Sequence, residues 1–233
     1  MQRARAPAPE DLEGVPTIEL LNELQRRHEA LSRPPLRAAI VGPPCAGKYV
    51  QADAIRRAYA VCRITRDDLV DPEKGGSVGD QPAMSTLKSI LEQPQCRRGY
   101  ILQGFPSTTA EAERLKRSLE QQKVPLEHVV FLEAEEEALL ERNKGRHIHD
   151  ASGRRYHEVS KPPIEAGKDD YTGEPLSRRS LEEADFQKAL SEYRDAYRPL
   201  HKFFDKLGLA RQVDASGKAE EVGKAVAESL RPS

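Results

Sequence analysis

One stretch constrains this chain more than any other: Ala39-Ile40-Val41-Gly42-Pro43-Pro44-Cys45-Ala46-Gly47-Lys48-Tyr49-Val50. An apolar run from Ala38 to Val41 breaks on a glycine and two prolines, and a helical pattern begins near Lys48. Gly42 to Lys48 fits the first seven places of the phosphate-binding loop, G-x-x-x-x-G-K, in the strand–loop–helix setting that this loop requires. Backbone N–H groups of such a loop, with the N-terminus of the next helix, form an anion cradle, and the lysine neutralises phosphate charge. The eighth place calls for a hydroxyl to hold magnesium, but Tyr49 and then Val50 stand there. The stretch predicts a phosphate cradle whose metal-binding end is defective.

Around the cradle the chain alternates between strand and helix. Ile18, Leu20, Leu21, Leu24 and Leu31 form a helical stripe over 17–32, and Pro34-Pro35 ends it. Leu36 to Val41 is apolar throughout, as a parallel strand buried on both faces is. Further apolar runs at 60–64, 99–102, 128–132 and 210–213 make five strands. Helical patterns occupy 48–58, 84–91, 134–144, 181–207 and 219–230, and one that starts at Ser107 and Glu111 runs to about Gln122. Leu190, Tyr193, Tyr197, Leu200 and Phe204 recur at helical spacing and read as core packing, while 71–83 reads as a polar loop. Residues 146–179 lose helical periodicity and read as a small inserted module. The pattern predicts a doubly wound α/β fold on a parallel five-stranded sheet.

Composition narrows the partners. The 37 basic and 38 acidic residues nearly cancel, so no global field favours nucleic acid or an anionic membrane. No apolar stretch approaches the roughly 20 residues of a membrane helix. Cys45, Cys62 and Cys96 form no C-x-x-C pair and are odd in number, which predicts free thiols, a reducing compartment and a cytoplasmic location. Met1 to Pro9 reads as a frayed tail rather than a transit segment, because Pro7 and Pro9 spoil a helix there.

With the cradle go a turn, Gly104-Phe105-Pro106, and three blocks inside the insert. These are Gly145-Arg146-His147-Ile148-His149, Ser152-Gly153-Arg154-Arg155-Tyr156-His157, and Asp169-Asp170-Tyr171-Thr172-Gly173-Glu174-Pro175-Leu176-Ser177-Arg178-Arg179. In these blocks the chain resembles the long-lid adenylate kinases, and the resemblance runs from the leading helix to the last. It implies a tail and leading helix at 1–35, then a core of 36–65, 99–145 and 180–233. A reduced nucleoside-monophosphate flap spans 66–98, and a lid spans 146–179. The fold so implied transfers a phosphoryl group from ATP to AMP across a cleft that lid and flap close. His149, Ser152, Asp169 and Thr172 fall where such lids carry a polar network or zinc, and the absence of cysteine there favours the network over the metal.

The resemblance places Gly42, Pro44, Cys45, Ala46, Gly47, Lys48, Tyr49 and Val50 at the donor nucleotide, with Arg142, Arg146, Tyr156 and Gly217, the last in a Val213-Asp214-Ala215-Ser216-Gly217 turn that resembles the family's adenine-contacting loop. Lys48, Arg142 and Arg179 are the residual catalytic candidates, since a planar guanidinium grips phosphate oxygens from two directions. Cys45 stands where the family has glycine, and reads as a tolerated filler rather than an acidified thiol. Tyr49 either obstructs the cradle or offers its ring to a partner.

Departures cluster on the other half of the site. The resemblance expects an acid before Gly104, an arginine after Pro106, a second after a Thr-Gly-Asp turn and an adenine-reading glutamine. This chain has Gln103, Ser107, Asp71 and Glu111, and Lys188 is the cation nearest another expected arginine. One such arginine is worth about 10³–10⁵ in rate, or roughly 4–7 kcal/mol of barrier. The expected ligand is therefore ATP or ADP, without zinc and without firmly held magnesium, in a nucleotide-binding scaffold or regulatory subunit. Two readings stay open beside it. One is an active kinase whose altered acceptor site uses Arg66, Lys74 or a partner's arginine, and the other is a structural protein that binds no nucleotide. Helix 17–32 and loop 71–83 are the segments expected to meet a protein partner.

Overall fold

The computed structural model describes residues 15–70 and 80–231. Five strands run parallel: β1 (Leu36–Val41), β2 (Cys62–Thr65), β3 (Gly99–Gln103), β4 (His128–Glu133) and β8 (Ala210–Asp214), in the order β2-β3-β1-β4-β8. A three-stranded antiparallel sheet, β6-β5-β7, makes the lid from β5 (Arg146–His149), β6 (Arg154–His157) and β7 (Ser177–Arg178). The doubly wound α/β expectation matches this architecture, and the inserted module is the lid.

Alternation within the apolar strands feeds two cores. Ala39, Val41, Val129 and Phe131 face α4 (Thr109–Gln121) and the end of α6 (Glu183–Asp205), where Leu115, Leu119, Leu200 and Phe204 pack. Ala38, Ile40, Val130 and Leu132 face α2 (Lys48–Tyr59) and α7 (Ala219–Ser229), through Ile55, Val222 and Val226. Of the five residues read as the core stripe of α6, Leu190, Leu200 and Phe204 are buried. Tyr193 and Tyr197 are only partly covered, because they line the cleft instead. Register is pinned at Leu36↔Gly99, where a Cβ on Gly99 would fall 1.9 Å from the Leu36 carbonyl oxygen. Only glycine fits so close an approach.

Several expectations change. Helix α1 (Thr17–Ser32) forms, but its stripe stays outside the core: Ile18, Leu21, Leu24 and Leu31 are each more than half exposed and Ala30 alone is buried. Arg98 donates to the Ala30 and Arg33 carbonyls and tethers the end of this helix. Helix α3 starts at Gln81, inside the span read as loop; Asp71 and Lys74 lie outside the described residues. The cap of α4 is Thr108, whose Oγ1 accepts from the Glu111 N–H, rather than Ser107.

The expectation of free thiols is corrected for two of the three cysteines. Cys62 opens β2 and Cys96 ends the turn that leads into β3, so pairing of these strands brings their Cα atoms to 4.9 Å and a disulfide joins them. Sequence spacing gave no sign of this, because the contact depends on strand order. The argument for a reducing compartment loses its basis with it. A cross-link over 34 residues restrains the unfolded chain, and its reduction is expected to cost about 3–4 kcal/mol. Urea unfolding with and without dithiothreitol measures this, and Cys62→Ser should unfold identically in both.

Candidate active site

The cradle joins β1 to α2, and its backbone is set by two left-handed residues, Cys45 at φ 63° and Gly47 at φ 85°. Glycine takes this conformation freely, whereas a side chain strains there. Cys45 is held in it by neighbours: its thiol donates toward Asn143 Oδ1 at 3.8 Å and accepts from Arg146 Nη1 at 3.5 Å. Burial raises its pKa against the pull of Arg146, Lys48 and Arg142, so the thiol is not acidified. Asn143, which the sequence did not single out, also clasps Leu181 through its N–H and C=O and thereby couples the cradle to the lid's return hinge.

Lys48 Nζ donates to the carbonyls of Gly42 at 2.7 Å and Pro43 at 2.6 Å. Burial lowers its pKa to about 8, Cys45 opposing and Arg146 adding to the shift. Arg142, on α5 (Glu136–Lys144), donates to the carbonyls of Ser216 and Gly217, both at 2.9 Å. It therefore fixes the loop that was expected to meet adenine, and Gly217 lies within that grip. Arg146 opens the lid and reaches the cradle through Cys45. Arg179 leaves the lid with its N–H on the Arg146 carbonyl. Pro44 and Ala46 complete the loop, and Ala46 is buried.

The lid interior is a polar knot. Arg154 holds Asp169 in a two-pronged pair at 2.7 and 2.5 Å, and the Tyr156 hydroxyl donates to Asp169 Oδ1 at 2.9 Å. Thr172 donates to Asp169 from both its N–H and its hydroxyl. His149 is hydrogen-bonded with Ser152 at 2.7 Å and Glu174 at 2.6 Å. All four expected members meet there, with Arg154 and Glu174 in addition. The Tyr156 side chain belongs to this knot and is buried, which corrects its expected place at the nucleotide.

On the far side of the cradle, the metal end does not fit magnesium. Val50 presents methyls to solvent, and Gln103 offers one neutral carbonyl oxygen, buried and without a hydrogen-bond partner among the described residues. Gly104 lies beside the Lys48 stem. Ser107 and Glu111 turn toward each other: Glu111 Oε2 accepts the Ser107 N–H at 2.8 Å and the Ser107 hydroxyl at 2.9 Å. Arg66 then donates to Ser107 Oγ at 3.1 Å and to Glu111 Oε1 at 3.2 Å. A buried carboxylate thus satisfies the Ser107 and Arg66 donors from within. The hollow beside Gly104, Pro106 and Ser107 measures ≈ 40 Å³. A wider cleft of ≈ 630 Å³ opens between Pro43, Glu133, Ala134 and the tyrosine face of α6.

Residues 146–180 match the family described as adenylate kinase, active site lid. The chain is 37% identical over 209 aligned positions to an adenylate kinase of Emericella nidulans, covering 82% of this chain and 81% of that protein. It is 31% identical over 237 aligned positions to adenylate kinase 4 of Arabidopsis thaliana, covering 94% and 96%. This chain belongs to the adenylate kinase family. Its parallel five-stranded sheet with flanking helices and its lid are consistent with that membership.

Two expectations follow for this adenylate kinase relative. Lys48 has a lowered pKa, so between about 8 and 10.5 the unfolded chain holds more protons and the ligand-free protein gains stability as pH rises. A bound polyphosphate reverses this by holding the ammonium charged, so its affinity should fall above about pH 8 with uptake of a proton. Calorimetry in buffers of different ionisation enthalpy reads that proton. For the lid, Arg154 first and then the Thr172 N–H and Tyr156 hydroxyl hold the Asp169 carboxyl well below the usual carboxylate range. Its contribution is present above the unfolded value near 3.8 and is lost only as pH falls through the depressed one. Lid amides should therefore stay protected from hydrogen exchange through mild acid, and Asp169→Asn should expose 146–179 selectively.

Proposed function

We propose that this protein binds an adenine nucleotide, ATP or ADP, in the Gly42–Lys48 cradle beneath its lid. It serves as a nucleotide-responsive scaffold or regulatory subunit with little or no phosphoryl transfer to AMP. The observation that carries this reading is the contrast between the halves of the site. On the donor side Arg146 reaches the cradle at Cys45, Arg142 braces the Ser216–Gly217 loop, and among the described residues the Lys48 ammonium is bonded to carbonyls rather than to an acid. On the acceptor side Glu111 satisfies Ser107 and Arg66 from within.

The tyrosine, valine, glutamine and serine substitutions touch metal, acceptor and charge stabilisation together. Such losses are not additive, but none of the neighbouring residues supplies what another lacks. Arg66 is the cation that an altered acceptor would use, and Glu111 neutralises it. A second reading, transfer to another monophosphate, would need this pair to part.

Titration calorimetry should detect ATP or ADP binding, weakened about 10–100-fold by Arg146→Ala, the worth of a charge-assisted hydrogen bond to phosphate. A coupled assay with ATP and AMP should show no turnover that Lys48→Ala abolishes. Robust ADP formation that does depend on Lys48 would overturn the regulatory reading, and absence of any nucleotide binding would overturn both. Glu111→Gln should let AMP bind more tightly than in the parent chain, because it frees Arg66 and Ser107 for the phosphate.

A further inference from the structure

Tyr49 breaks the loop pattern at the position after the lysine, and the fold gives it a specific surrounding. Arg63 from β2 lies over its ring at 4.5 Å from the centroid, and Arg155 from the lid strand β6 lies over it at 4.2 Å. One aromatic ring thus holds two guanidinium groups, one from the core and one from the lid. A guanidinium stacked by its face keeps its N–H edge directed outward for oxygen acceptors. Arg63 Nη1 is shielded from solvent and has no hydrogen-bond partner among the described residues. Asp53 is the carboxylate that approaches it, at 3.8 Å, and Asp53 already holds Arg56 at 2.8 Å.

The charge around this ring is dense. Desolvation, and after it the positive charges of Arg146, Arg63 and Arg179, depress the Arg155 guanidinium, and only the Tyr49 phenol opposes them. Arg146 stands on the cradle at Cys45, and Lys48 is enclosed beneath. Like charges gathered in this way cost free energy unless an anion meets them. Val50 follows Tyr49 directly, and Gln103 pairs in register with Thr65, two residues past Arg63; neither gives a divalent cation on the donor phosphates a ligand set.

We propose that this chain takes its donor nucleotide without a divalent metal, and that Tyr49 is the positioning residue that sets Arg63 and Arg155 beside the cradle in the metal's place. The proposal rests on the donor-site reading above and adds the ionic form of the ligand: the metal-free nucleoside triphosphate, which carries more negative charge than its magnesium complex. It also accounts for Tyr49 itself, since the ring is the element that brings a lid cation and a core cation to one spot.

The test is equilibrium binding of ATP to the full chain by titration calorimetry, in EDTA and in excess magnesium. The expected result is an affinity in EDTA equal to or greater than that in magnesium. Tyr49→Gly should weaken binding in EDTA roughly tenfold, the worth of two exposed cation–π contacts, whereas Tyr49→Phe keeps the ring and should keep the affinity. Arg155→Ala removes the lid cation without touching the loop, and should weaken binding in EDTA comparably even if Tyr49→Gly fails to fold. Val50→Thr with Gln103→Asp should make binding depend on magnesium. Binding that requires magnesium in the parent chain overturns the proposal and leaves the nucleotide site standing. Absence of binding under either condition overturns the nucleotide site itself. A loss in Tyr49→Phe as large as in Tyr49→Gly overturns the positioning role.

Discussion

The Lys48 ammonium, with the Gly42 and Pro43 carbonyls as its hydrogen-bond partners among the described residues, is the interaction on which the rest of the site depends. Two neutral dipoles do not compensate a buried cation, so the group is displaced toward its neutral form. The sheet makes the enclosure unavoidable. β1 is central, its loop closes over the sheet's carboxyl end, and Gly104, just past the end of the neighbouring β3, lies beside the lysine stem. An open α/β sheet places ligands at this crevice. An anion entering it is met by Arg146 on the cradle and by the Arg142-braced Ser216–Gly217 loop.

Much of this was legible in the sequence because it is local. The apolar run before Gly42, the breaker residues and the helical pattern after Lys48 lie next to one another in the chain. Likewise His149, Ser152, Asp169 and Thr172 sit in blocks whose spacing survives in the folded lid. Contacts that sequence reasoning missed join distant segments. Cys62 meets Cys96 only because β2 pairs with β3, and Asn143 clasps Leu181 only because the lid returns to its point of departure. The same holds for Arg63 and Arg155, which meet at Tyr49 from a core strand and a lid strand. A charge in a polar stretch reads as surface until topology shows what it faces. Helix α1 makes the converse point: its stripe predicted a helix, and a helix forms, yet amphipathicity alone did not show that the stripe stays exposed.

Tyr156 illustrates how a family position and a physical role separate. The lid's one fully paired carboxylate, Asp169, draws the Tyr156 hydroxyl, the Arg154 fork and the Thr172 donors inward. A network so satisfied is stiff, because loss of one member leaves the others buried and unpaired. Arg146 and Arg155 stand on the strands β5 and β6 that this network braces, and the Asn143–Leu181 clasp ties the chain leaving the lid to the helix that enters it.

The acceptor side follows from the same electrostatics with the opposite outcome. Ser107 offers an N–H and a hydroxyl, and Arg66 offers a guanidinium; such a set attracts an anion whether or not a ligand is present. Glu111 lies one helical turn from Ser107, so its carboxylate reaches these donors without the loss of translational freedom that a free phosphate incurs. Glu111 is itself buried, and the hollow beside its partner Ser107 measures only ≈ 40 Å³. An internal anion tethered at that distance outcompetes a diffusing one unless the ligand brings compensating contacts elsewhere. Gln103 adds no charge to draw a metal, and Val50 adds no oxygen. One carboxylate, Glu111, therefore ties the Ser107 and Arg66 donors into the fold, and under the proposed function this leaves the anion to the Lys48 side of the cleft.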